Sequence, residues 1–226
     1  MSIHFLVLNM DKNLDRYTNI SNQLNELNCS YTRIKAVNGF DMENDEDVKM
    51  ILSPRKNLIG TIFKSVDTGK KWIYDGTIFK SFPNLNLLGH HGTKGLTLSN
   101  IKAFNTALQM NYEWFCILED DSELNLEIYT KMKDFIINNN NYDIILMDKR
   151  NNGFGGACAI VYNKRIIPQL IYDLHPLSTF SIISSSFENT SNLWDWKLYK
   201  YINFINKNYI SFPCVPSGNF KSTIDI

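Results

Sequence analysis

Apolar residues fall into short continuous runs separated by stretches with helical spacing. Ile3 to Leu8 is an apolar run ending in polar Asn9, as expected of a strand buried on both faces whose carboxyl end opens onto a site. Leu14, Tyr17, Ile20, Leu24 and Leu27 keep the period of a helix that Asn28 closes. Tyr31 to Val37 predicts a second strand ending in an Asn38-Gly39 turn. Beyond Gly95, the spacing of Leu98, Ile101, Lys102, Asn105 and Leu108 predicts a helix capped near Thr97 or Ser99. Trp114 to Leu118 reads as a buried strand, Ile128 to Ile137 as a helix, and Asp143 to Met147 as a third buried strand. After a glycine turn at Gly153 to Gly156 come a short strand, Ala157 to Tyr162, and a helix, Lys164 to Leu174, interrupted near Pro168. Trp194-Asp195-Trp196 opens a last helix, and Tyr209 to Val215 is a final strand. Such alternation predicts an α/β fold with a mainly parallel sheet covered on both faces.

The stretch from about Asp41 to Leu88 breaks the pattern. It opens with an acidic run, Glu43 to Asp47, and carries one hexapeptide twice, at Gly60 to Ser65 and at Gly76 to Ser81. Two β-prone copies flanking Asp67-Thr68-Gly69-Lys70 predict a hairpin-like insertion within a single domain spanning 1–226. One duplicated hexapeptide is too little for a repeat architecture.

Composition narrows the class. With 226 residues and a hydrophobic fraction of 44%, the chain can fill a core. Lys plus Arg and Asp plus Glu both total 23, so no global field would hold nucleic acid or an anionic membrane surface. Cys29, Cys116, Cys158 and Cys214 are widely spaced without a CxxC pair, which argues for thiols in a reducing compartment rather than a zinc knuckle or a disulfide framework. The opening apolar run lacks a basic n-region and is too short for a signal or a membrane span. The expectation is a cytoplasmic protein, of a bacterium or of a host cell if the source is viral.

The segment after Trp114 to Leu118 carries the most chemistry. Glu119-Asp120-Asp121-Ser122-Glu123 places three consecutive carboxylates at the carboxyl end of a buried strand, where open α/β sheets bind ligands. Close like charges favour a compensating cation, and Mg²⁺ or Mn²⁺ with oxygen ligands supplies one. Such an ion bridging a diphosphate neutralises the charge that grows on a leaving group. The competing reading is a solvated loop or a helix start whose acids complement the dipole.

Several stretches in chain order resemble one family. Ile3-His4-Phe5-Leu6-Val7-Leu8-Asn9-Met10-Asp11 through Asp15-Arg16, Arg33 through Ala36-Val37-Asn38-Gly39, Gly92-Thr93-Lys94-Gly95-Leu96-Thr97-Leu98-Ser99-Asn100, and Phe115-Cys116-Ile117-Leu118-Glu119-Asp120-Asp121 resemble glycosyltransferase family 25. That family includes lipooligosaccharide galactosyltransferases and collagen hydroxylysine galactosyltransferases. Gly156 to Tyr162 and Pro216 to Ile224 resemble its later segments. The chain departs from the family pattern at Thr93, Lys94 and Asn100, where the family has Glu, Ile and His, and at Asn38, where it has Asp.

The resemblance implies a GT-A type nucleotide-binding domain that transfers a hexose with inversion from a UDP-sugar to a glycan, lipooligosaccharide or glycoprotein acceptor, with Mn²⁺ or Mg²⁺. Glu119-Asp120-Asp121 corresponds to the metal motif. Asp121 is the first choice of metal ligand, and Glu119 or Asp120 would reach the ribose or a metal-bound water. Asn9 and Arg16 become candidates for uridine or phosphate contacts, although Arg16 also reads as a surface ion-pair partner of Asp15 or Glu26. Asn38 and Gly39 would shape the uracil pocket or serve only as a turn. Ser99 would cap its helix or touch phosphate. Asp195, between Trp194 and Trp196 as sugar-stacking rings, is the candidate base, with Asp148 and Glu188 as alternatives. His90 and His91 are adjacent, so they aim apart and read as a loop without metal. Homo-oligomers stay open. A catalytically silent nucleotide-sugar- or partner-binding domain is the rival reading, motivated by Thr93 and Asn100. A phosphoryl or nucleotidyl transferase is disfavoured because no GxxxxGK[ST] loop is present.

Overall fold

A computed structural model describes residues 2–51, 62–64, 71–73, 91–150, 156–175, 194–204 and 208–218. Strands β1 (Ile3–Asn9), β2 (Ser30–Lys35), β5 (Trp114–Glu119), β6 (Ile144–Asp148), β7 (Ala159–Asn163) and β8 (Tyr209–Val215) form a six-stranded sheet in the order β2-β1-β5-β7-β6-β8. Pairs β1·β2, β1·β5 and β6·β8 are parallel, whereas β7 runs antiparallel to both β5 and β6. Five strands therefore share a direction and their carboxyl ends lie along one edge. Helices α1 (Leu14–Glu26), α2 (Glu46–Ile51), α3 (His91–Gln109), α4 (Leu126–Asn138), α5 (Ile167–Leu174) and α6 (Trp194–Phe204) complete the described elements. A short hairpin pairs β3 (Ile62–Lys64) with β4 (Lys71–Ile73).

Strand alternation sorts the core into two layers. Leu6, Leu8, Phe115, Ile117, Ile160 and Tyr162 pack with residues of α3, α5 and α6. Phe5, Val7, Cys116, Leu118, Ile145 and Val161 pack with Ile20 and Leu24 of α1 and Met132 and Ile136 of α4. A mainly parallel sheet covered on both faces is the arrangement expected of a GT-A type domain.

Local chemistry explains most boundaries. Asn28 takes a positive φ of 51° just past α1, a conformation asparagine tolerates better than most residues. Asn125 caps α4 by accepting from Ile128 N at 2.9 Å. Pro168 lies in the first turn of α5, where its missing N–H is not needed, and a 3₁₀ turn over Lys164–Ile166 precedes it.

Two expectations are corrected, and the acidic run gains a local structure. The helix expected to begin near Thr97 or Ser99 begins by His91, and both residues lie inside it. The hairpin pairs the first hexapeptide copy with Lys71-Trp72-Ile73, not with the second copy, whose residues lie outside the described ones. The acidic run contributes to a 3₁₀ turn, Met42–Asn44, and to α2, with Asp45 capping α2 by accepting from Asp47 N and Val48 N.

Gly95 lets α3 sit against the loop after β2, because a Cβ there would lie 2.5 Å from Val37 O and 3.1 Å from Gly39 N. Gly95→Ala is expected to lower unfolding free energy by about 1–3 kcal/mol, read from urea midpoints, because the backbone at Val37 must move. An unchanged midpoint would refute that packing. Lys197 is buried in α6, donates to Leu174 O at 3.2 Å, and is pushed down by burial to about 7 from 10.5. Between those values the unfolded chain holds a proton that the folded chain lacks, so this group's contribution to stability rises with pH. Lys197→Met should exceed the wild type in stability most at pH 7 and below, with the gap closing toward pH 10.5 by up to roughly 1.4 kcal/mol per pH unit.

Candidate active site

The acidic segment leaves β5 as a turn, with Ser122 N donating to Glu119 O at 3.1 Å. The backbone is held at several points. Glu119 N donates to Cys158 O at 2.9 Å, Ser122 Oγ donates to the same carbonyl at 2.7 Å, and Ser122 is fully buried. Gly218 N donates to Asp121 O at 2.5 Å and Glu123 N to Pro216 O at 3.0 Å, so the segment after β8 clasps the turn. Leu124 N donates to Gln23 Oε1 of α1 at 2.6 Å. These side chains start from a rigid base, the condition for precise ligand placement.

The turn forms one wall of a cleft of about 890 Å³, counting space open to solvent. The chain passes from β1 to β2 on one side and later to β5 on the other, so the strand order reverses at β1, where open α/β sheets bind ligands. Arg16, Asn38, Gly39, Ser99, Glu119, Asp120 and Asp121, seven residues singled out from the sequence, all line this cleft. The loop 36–40 and α3 supply the opposite wall.

Their roles differ. Asn9 is only 1% exposed and is spent internally. Its Nδ2 donates to Asp120 Oδ2 at 2.7 Å and to Asn13 O at 2.8 Å, while its Oδ1 accepts from Arg33 Nη2 at 2.7 Å and Nε at 2.9 Å. The expectation of a nucleotide contact from Asn9 is corrected accordingly: it positions Asp120 from behind the cleft. Arg16 is buried and pairs with Asp120 at 3.6 Å, not with Asp15 or Glu26. Ser99 lies inside α3 and does not cap it, and its hydroxyl is engaged within the protein. Its Oγ accepts from Val37 N at 2.8 Å and donates to Gly95 O at 2.6 Å, tying the loop after β2 to the helix. Asn38 Oδ1 accepts from Phe40 N at 3.1 Å and Asp41 N donates to Asn38 O, so the Asn-Gly pair is a turn that also lines the cleft.

Asp148 cannot serve as a base open to substrate. It is fully buried, and both oxygens are engaged by Arg150 Nε, Nη2 and backbone N and by Cys158 N, at 2.8 to 3.3 Å. Burial alone would raise its pKa, but the hydrogen bonds from Arg150 and Cys158 outweigh this and hold it below the ordinary value. Gly156 has φ 98°, and a Cβ there would lie 2.6 Å from Asp148 Cγ, so glycine is required where the chain crosses this carboxylate. Gly156 N in turn donates to Asp195 Oδ2 at 3.2 Å, which brings the first turn of α6 to the same edge. Trp194 is 1% exposed, with its ring centroid 6.0 Å from that of Phe104, so it is core and not a sugar platform. Glu188 and His90 lie outside the described residues.

Carboxylates accumulate at this edge. Burial, then the charge of Asp121, with Asp148 and Asp195 adding, pushes Glu119 up to about 8 against the opposing charge of Arg150. Asp121 and Asp120 are also raised, chiefly by burial. Asp121 Oδ1 is buried with no hydrogen-bond partner, an arrangement that costs free energy unless something else satisfies it. Among the described residues no three His, Cys, Asp or Glu side chains make a metal cage unaided. The oxygen donors nearest the cleft are the unpartnered Asp121 Oδ1 and the neighbouring Glu119, the chemistry a hard divalent cation would take.

Sequence reading missed Arg150, although a signal was present. Asp148-Lys149-Arg150 leaves a buried strand as the acidic run does, and the same strand-end logic applies to it. Among the described residues all four cysteines are free, two buried and two half-buried, and no helix is long and apolar enough to cross a membrane.

Comparison with known proteins adds identity to this geometry. No curated protein matches the chain significantly in sequence. A glycosyltransferase involved in the glycosylation of the major capsid of PBCV-1 has a similar solved structure, at 10% identity over 98% of this chain and 96% of that one, with a TM-score of 0.49. The sequence model described as Glycosyltransferase family 25 (LPS biosynthesis protein) matches residues 2–164. A match over that much of a 226-residue chain, running through the cleft and its acidic turn, shows that the chain belongs to glycosyltransferase family 25.

Proposed function

We propose that the chain is an inverting, metal-assisted glycosyltransferase that moves a hexose from a UDP-sugar to a hydroxyl of a glycan, lipooligosaccharide or glycoprotein acceptor. The observation that carries this reading is Asp121, whose buried, unpartnered oxygen lies on a turn pinned at the wall of the cleft. Asp121, with Glu119 beside it, would hold Mn²⁺ or Mg²⁺. When bound, that ion offsets the charge developing on the departing diphosphate.

The remaining work falls to the chain's own groups. The turn at Asn38-Gly39 and the loop to Phe40 line the end of the cleft suited to a base, and Arg16 contributes positive charge beside the acids. Asn9 and Arg33 keep Asp120 fixed, so the cleft does not have to reorganise when a donor enters. Inversion requires a base on the side of the sugar opposite the leaving group. Asp195 fits this role better than Asp148, because it is half-buried at the same edge while Asp148 is fully buried and bonded on both oxygens.

Asp121→Ala is expected to reduce metal-dependent release of UDP from a UDP-hexose by roughly a hundredfold or more, since several kcal/mol of charge stabilisation are removed. Undiminished turnover in excess chelator would overturn metal assistance. Asp195→Asn should lower kcat by about 10²- to 10⁴-fold while calorimetric UDP affinity stays unchanged. Tight UDP binding by the wild type, with neither donor hydrolysis nor transfer across a broad acceptor panel, would instead place this chain among silent nucleotide-sugar binders.

A further inference from the structure

The proposed chemistry leaves Arg150 unused. Its guanidinium is gripped by Asp148 through Nε and Nη2, the closest contact being 2.8 Å, while about half of its side chain faces solvent. Such a grip fixes the plane of the fork and leaves the Nη1 edge available. The grip is itself immobile, because Asp148 lies at the end of β6, fully buried, and its Oδ2 also accepts from Cys158 N. The carbonyl of the same Cys158 receives Glu119 N and Ser122 Oγ. The guanidinium is thus tied, through Asp148 and the residue just before the reversed strand, to the turn that bears Asp121. Its charge acts on Glu119 and Asp121 together.

A counter-charge meant only to neutralise those acids would gain most by pairing with them directly. Arg150 instead pairs with a different, fully buried carboxylate and keeps part of its fork exposed at the edge where the acids converge. Arg150 does not itself line the cleft but stands at the adjoining carboxyl end of β6. We propose that Arg150, held by Asp148, is a phosphate-binding arm that receives the diphosphate of the donor from the side of β6. This rests on the reading of the cleft as a nucleoside diphosphate site and adds a positioning residue to it.

Calorimetric titration of the full chain with uridine, UDP and inorganic pyrophosphate, with chelator and again with Mn²⁺, tests the assignment. Arg150→Ala, which also leaves the buried Asp148 without its cation and is therefore checked for folding by its urea midpoint, should weaken UDP and pyrophosphate by about ten- to a hundredfold, the scale of a charged hydrogen bond, and leave uridine unaltered. Arg150→Lys should recover only part of the loss, because a point charge cannot keep the fork held by Asp148. Equal weakening of uridine and UDP, or no change in either, would overturn the proposal. Pyrophosphate separates this failure from failure of the donor assignment. If the wild type ignores uridine yet binds pyrophosphate in an Arg150-dependent way, the arm stands and the uridine reading falls. Pyrophosphate binding that survives Arg150→Ala removes the arm whichever base is used, and a wild type that binds neither UDP nor pyrophosphate removes both.

Discussion

The backbone of Cys158, the residue before β7, joins the two halves of the acidic edge. Its N–H is spent on Asp148 and its carbonyl on Glu119 N and Ser122 Oγ. Because β7 alone runs against the other strands of the sheet, its amino end meets the carboxyl ends of β5 and β6. A strand running with its neighbours would have offered its carboxyl end there, with its amino end at the far edge. The reversal therefore supplies one donor and one acceptor where two carboxylate-bearing strand ends have to be held apart and fixed.

Electrostatics explains why such holding is needed. Glu119, Asp120, Asp121, Asp148 and Asp195 converge near one edge, and burial penalises each charge that has no partner. Two carboxylates are settled by the fold: Asp120 by Asn9 and Arg16, and Asp148 by Arg150 and two backbone N–H groups. Burial still raises Asp120 despite these partners, and Glu119 and Asp121 are raised as well; Asp121 differs in keeping a buried oxygen with no hydrogen-bond partner. Pinning the backbone of the turn fixes where these side chains start, so the carboxylates stay close together.

Much of this was legible from residue order. Buried strands announce themselves by runs such as Phe115 to Leu118, and the acidic residues that follow fall where the sheet opens. Burial and hydrogen-bond saturation were not legible, because both depend on elements distant in sequence. Asn9 looks like a ligand-facing polar residue at a strand end until Asp120 and Arg33 are seen to consume it. Ser99 looks like a helix cap because a local reading stops at Gly95, yet α3 runs back through two glycines to His91 and the hydroxyl ties down Val37 N. Helix propensity disfavours such glycines, and tertiary packing overrides it at Gly95, where any side chain would strike the backbone of Val37.

A carboxylate's role at this edge follows from how many of its lone pairs the protein has already used. Asp148 has both oxygens occupied and no exposed surface, so its negative charge is available only through the arginine it holds. Asp120 accepts from Asn9 and faces Arg16, so it shapes the cleft while having little capacity left for a cation. Asp121 is the opposite case: its backbone carbonyl is bonded to Gly218 N while its side-chain Oδ1 is buried and unpartnered. An unsatisfied buried oxygen is unfavourable in the free protein, and removing that penalty adds to the affinity for whatever binds there. The three neighbouring aspartates of this edge, chemically alike, are thereby set apart by their hydrogen bonds: one holds an arginine, one faces Arg16 in the cleft wall, and one keeps a buried oxygen without a partner.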